Sequence, residues 1–110
     1  MTASSETPVL DTLTAMTLDS IERCGLPADT LILTRIAALA AMDAPPMSYL
    51  AHVDPAIKAN LTPTQVQDVL VAIAPIVGTA RAMSAASHIT EALGFAVAVA
   101  EAEAESERGA

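Results

Sequence analysis

Aromatic side chains are almost missing: Tyr49 and Phe95 are the only two among 110 residues, and there is no tryptophan. The core must therefore be built from Ala, Leu, Ile and Val. Basic residues are scarce as well, five against 13 acidic ones for a net charge of -8. Nucleic acid is excluded as a partner, because phosphate binding needs clustered Lys and Arg. An anionic membrane surface is excluded on the same ground. The longest apolar run, Val69 to Gly78, is half of the roughly 18 residues a membrane span requires, so no membrane partner is expected. The start of the chain, MTASSETPVL, has no basic segment followed by an apolar one, and no secretory signal is read. The single Cys24 can form no internal disulfide, which fits a reducing compartment. A cytoplasmic location is the expectation. Two histidines 36 residues apart and no cysteine cluster offer no metal-ligand spacing, and no cofactor is expected.

What is present is an Ala-rich, apolar chain. Apolar residues make up 53% and charged residues 16%, with only four glycines. Alanine has the best helix propensity and loses no side-chain entropy, so close-packed helices are favoured. The length suits one domain, residues 1–110, that buries roughly two-thirds of its unfolded surface.

Five to six helices account for nearly the whole chain, an all-α small bundle. Pro8 suits a first helical position, and Val9, Leu10, Leu13, Met16 and Ile21 form an apolar pattern that Gly25 should end as a left-handed cap. Pro27, Asp29 and Thr30 start a second helix reaching about Met42, so apolar that it should be buried on nearly all sides. Pro45 and Pro46 open a third helix carrying Met47, Tyr49, Leu50 and His52. Asp54-Pro55 then imposes a kink or a restart, with Asp54 as N-cap. Thr62-Pro63-Thr64-Gln65 is a capping box opening a fourth helix whose last turn Pro75 should bend and Gly78 should end. Thr79 should cap a fifth helix that stops at Leu93 before Gly94.

The remaining segment, FAVAVAEAEAESERGA, alternates as a strand would, yet Ala and Glu are helix formers, which favours a helix fraying after about Glu105. Residues 101–110 form an acidic tail. Helices two and four carry more apolar surface than one small core can cover, so a homo-oligomer is expected, a single tight bundle being the alternative.

Leu33 to His52, LTRIAALAAMDAPPMSYLAH, followed by LTPTQVQDVLVAIAPIVG at Leu61 to Gly78 and a further helix to Leu93, resembles the carboxymuconolactone decarboxylase and alkylhydroperoxidase D-like superfamily over residues 26–94. The resemblance implies an alkylhydroperoxidase D-like helical fold assembled as a trimer or hexamer. Peroxidase members carry Cys-x-x-Cys ending four residues before a histidine. Counting back from His52 places Ser48 and Pro45 there, and Leu33 where that branch has a carboxylate. Thiol peroxidase chemistry needs a thiolate and a resolving thiol, and this frame supplies neither.

The lactone decarboxylase branch needs no thiol, only an acid to protonate the carbon that loses CO2 and a cation to hold a carboxylate. His52 matches the family histidine, and Arg35 stands in an otherwise apolar helix, so these two are the candidate catalytic residues for a small-molecule carboxylate or lactone. Each has a plainer reading: His52 as a donor to free carbonyls at a helix end, and Arg35 as the partner of an acid such as Asp43 or Asp68. His88 reads as a half-exposed helix residue and Arg81 as a surface one. The competing functions are a non-catalytic oligomeric scaffold and a carrier whose Met42, Met47, Met83, Tyr49 and Phe95 line an apolar cavity.

Overall fold

The computed structural model describes residues 5–109, and among them six α-helices and no strand: α1 Pro8–Arg23, α2 Ala28–Ala41, α3 Pro46–Leu50, α4 Val53–Lys58, α5 Pro63–Val77 and α6 Thr79–Gly109. Proline stands in the first turn of α1, α3 and α5, where its missing N–H has no intrahelical acceptor to lose.

Several helix ends differ from the sequence expectation. Gly25 does not cap α1 in the left-handed region. Cys24 ends that helix in an extended conformation, φ -78° and ψ 128°, and Gly78 is the one described glycine with positive φ. Leu26, which precedes Pro27, is also steered away from helix. The left-handed positions fall instead on Asp43, φ 54°, and Asn60, φ 61°. At the end of α2, Ala44 N–H donates to Leu39 O and Asp43 N–H to Ala40 O. The end of α4 repeats this with Leu61 on Ala56 and Asn60 on Ile57, all at 3.0 to 3.1 Å. Both ends are Schellman motifs whose left-handed residue is Asp or Asn rather than Gly.

Asp54 is not the N-cap of α4. That place belongs to His52, and Asp54 and Pro55 occupy the first turn, where proline is tolerated; the restart itself is present. The capping box of α5 forms in both directions, Gln65 N–H donating to Thr62 Oγ1 at 3.2 Å and Thr62 N–H to Gln65 Oε1 at 2.9 Å. Thr79 is the first helical residue of α6 rather than its cap. Gly94 does not end that helix, which continues through the acidic tail to Gly109 instead of fraying after Glu105. A mid-helix glycine costs only about 1 kcal/mol, which the surrounding Ala and Glu propensities offset. The resulting 31-residue rod also has a stretch long and apolar enough to cross a membrane by length and composition alone. Its first half packs on α2, α3 and α5.

The core is built largely on alanine. Ile32, Ile36 and Ala40 of α2 meet Ala85 and Ala92 of α6, with Ala44 and Tyr49 closing one end. Only this one side of α2 is buried in the chain, not nearly all sides, and its remaining apolar residues are mostly half-buried. α1 packs little against the body: Val9, Leu10, Leu13, Met16, Leu18 and Ile21 are 44–72% exposed. With the far half of α6, it expands the radius of gyration to 16.2 Å, against about 13 Å for a compact domain of this length.

Replacing Thr62 by Ala removes the reciprocal cap of α5. Stability should fall by about 1 kcal/mol, read as a lower urea midpoint at unchanged m-value.

Candidate functional site

A cavity of about 390 Å³ opens among α2, α4, α5 and α6, with Ile36, Val53, Val66, Leu70, Ile89 and Leu93 among its aliphatic walls. The polar contributions come from His52, Thr62, Gln67 and Thr90, with Tyr49 also lining the wall. Among the described residues no Lys, Arg, Asp or Glu lines it.

His52 stands at the junction of α3 and α4, half-buried. Its Nδ1 lies 2.9 Å from Ser48 O, a carbonyl that the short helix α3 leaves without an intrahelical donor. Because a carbonyl only accepts, Nδ1 carries the hydrogen and neutral His52 presents Nε2 as a lone-pair nitrogen. The plain role of tying a helix end and the role of orienting an acid–base group are thus met by one hydrogen bond. Ser48 contributes its backbone to that bond, and Pro45 is the exposed residue before α3.

Arg35 is not in the cavity wall. Its Nη2 donates to Ser20 Oγ of α1 at 3.0 Å, the one side-chain bond between α1 and the bundle among the described residues. Neither Asp43 nor Asp68 is its partner. The chain does not bring Arg35 and His52 together in one cavity. Cys24 lies half-buried at the end of α1, also outside the wall. Of the five residues proposed as the lining of an apolar carrier, only Tyr49 serves; Met42, Met47, Met83 and Phe95 are exposed.

Sequence reasoning missed a polar stripe on α6. Arg81 Nη1 donates to Ala41 O at 2.6 Å, Ser84 Oγ to Asp43 Oδ1 at 2.6 Å, and His88 Nδ1 to Ala44 O at 2.8 Å. Positions 81, 84 and 88 share one helix face, and together they satisfy the carbonyl-rich end of α2 and hold the loop that leads into α3. Arg81 is exposed and His88 half-buried, and both are tied by these bonds to the end of α2 and its loop. Their i, i+3, i+7 spacing was a readable signal, but its target, a left-handed Asp43, was not.

Residues 7–92 match the carboxymuconolactone decarboxylase family. The chain belongs to that family. The match begins well before residue 26 and so takes in α1, which the resemblance read from motifs had left out. Comparison with curated proteins and with solved structures found no match. The chain has one cysteine, Cys24, and so no Cys-x-x-Cys pair.

Tyr49 is 4% exposed, and its hydroxyl has no hydrogen-bond partner among the described residues. Burial pushes that hydroxyl above the ordinary tyrosine value, and the Asp43 carboxylate adds to the shift. A raised folded-state value stabilises the fold below the unfolded tyrosine value near 10, and this contribution is lost as pH rises beyond it. Stability should therefore drop as pH rises above about 10 in the parent, and less so in Tyr49→Phe. That variant should be close to neutral or slightly stabilising at pH 7, because it deletes an unsatisfied buried group. Denaturant midpoints across this pH range check both points.

Proposed function

We propose that this family member is a thiol-free lyase of the lactone decarboxylase type, with His52 as its proton-transfer group. The observation that carries the reading is the anchored imidazole in the cavity wall: Ser48 O fixes Nδ1 and leaves Nε2 for a bound molecule. In the reaction the bond from carbon to carboxylate breaks, CO2 departs, and the electron pair is taken up by the conjugated lactone. The protonated imidazole then delivers its Nε2 proton to the carbon, and water restores it. A general acid of this kind contributes about 10²- to 10⁴-fold. His52→Gln should accordingly lower the rate of CO2 release from a carboxymuconolactone by at least about 100-fold, with the folded state retained by circular dichroism. An unchanged rate, or no turnover in the parent, removes this reading.

Association into a homo-oligomer, a trimer or hexamer, belongs to the same proposal. Its support is the uncovered apolar face of α1, which no element of the chain packs against to any extent. In such an assembly Arg35, beside α1, could serve a neighbouring copy's cavity as carboxylate holder. Light scattering should give a mass well above the 11.2 kDa of one chain, and Leu13→Glu with Met16→Glu should return it toward that value.

A non-catalytic scaffold is the second reading. The observation in its favour is that Arg35 is engaged with Ser20 and absent from the wall.

A further inference from the structure

We infer that Gln67 is the second functional group of the cavity: its carboxamide N–H donates to the lactone carbonyl oxygen, where negative charge collects as CO2 leaves, while His52 protonates carbon. The inference rests on the lyase reading for the reaction, and on the wall alone for oxyanion binding.

Two walls face each other across the cavity. α4 and α5 each pack on α2 and α6 and scarcely on each other, so the gap lies between them. His52 is the N-cap of α4 on one wall, and Gln67 stands in the second turn of α5 on the other. α5 presents Pro63, Val66, Gln67 and Leu70 to the space, the i, i+3, i+4, i+7 stripe of one helix face. Val66 and Leu70 are half-buried and Gln67 is exposed, which puts an amide at the rim of an apolar wall.

The other polar groups of the wall are already committed. Thr90 Oγ1 donates its hydrogen to Ala86 O at 2.9 Å, and Thr62 Oγ1 is held in the reciprocal cap with Gln65. The Tyr49 hydroxyl is buried out of reach of a molecule in the space. His52 spends Nδ1 on Ser48 O and keeps only Nε2. Among the described residues, Gln67 is therefore the wall group with unspent N–H donors.

Decarboxylation asks two separate things of the wall. As the carbon–carboxylate bond breaks, its electron pair moves into the conjugated ring and becomes charge on the carbonyl oxygen; protonation at carbon then draws it back. That oxygen and that carbon lie several bonds apart, and one Nε2 proton cannot serve both. A neighbouring copy's Arg35, the carboxylate holder of the same reading, engages a third point. A neutral amide donor beside aliphatic walls suits the oxyanion, since the bound molecule displaces competing water and the full charge appears only as the bond breaks.

Two measurements on the full chain test this: the kinetics of CO2 release from a carboxymuconolactone, and calorimetric titration with tetronic acid, a five-membered lactone that is an enolate at neutral pH. Gln67→Met keeps the length of the side chain and removes the donor. It should lower kcat at least about 10-fold and change KM by less than about 3-fold, with circular dichroism unaltered. Tetronate should bind this variant at least about 10-fold more weakly than the parent, while the uncharged, unsubstituted butenolide should lose less than about 3-fold. Gln67→Glu, which removes the donor and adds a like charge, should weaken tetronate at least as much. A parent that does not bind tetronate, equal weakening of both probes, or tetronate binding that Gln67→Met leaves unchanged overturns the inference, as does an unchanged kcat where the parent turns over. A parent that releases no CO2 yet shows the selective tetronate loss keeps Gln67 as an oxyanion donor and sinks the lyase reading instead.

Discussion

The contact between α2 and α6 is made by alanine: Ala40, Ala85 and Ala92 are almost fully buried, and Ile32 and Ile36 fill the space beside them. Small residues let two helices approach closely, but they remove little apolar surface each, at about 25 cal/mol per Å². A seam of this kind holds only if the helices are kept in register by something directional. Arg81, Ser84 and His88 do this by reaching from α6 to the carbonyls of Ala41 and Ala44 and the carboxylate of Asp43. The loop they hold leads into α3, and α3 supplies both the Tyr49 ring and the carbonyl that fixes His52. The orientation of His52 therefore depends, through two short segments, on a helix pairing some 40 residues away in sequence.

The same economy explains the open surfaces. With so little bulk in the core, the larger apolar side chains end up on α1, on the outer face of α5 and along the far half of α6, where one chain offers nothing to cover them. The cavity is part of this pattern, an apolar gap between α4, α5 and α6 that no large side chain fills. A histidine stands at its wall, and among the described residues no ion pair lies in its lining.

Helix positions were readable where local chemistry acts alone. Pro8, Pro46 and Pro63 sit in the first turns of their helices, the Thr62–Gln65 box closes as its spacing implies, and Asp54-Pro55 marks a true restart. Glycine was the poor guide. Gly25 and Gly94 carry no left-handed turn, while Asp43 and Asn60 do, because a left-handed cap needs a residue that tolerates positive φ and a partner that rewards it. For Asp43 that partner is Ser84, 41 residues on, which no local pattern discloses.

By itself the sequence determined the helical class, the family and the absence of a Cys-x-x-Cys pair, since each is written in residue identity and short-range spacing. Tertiary structure decided which of the candidates share a space. Arg35 stands three residues after Ile32 and one before Ile36, yet helical geometry turns it to Ser20 on α1 while Ile36 faces the cavity. The charge character of the site was decided there too, because an empty count of cations in a cavity wall depends on where five side chains end up, and only packing places them.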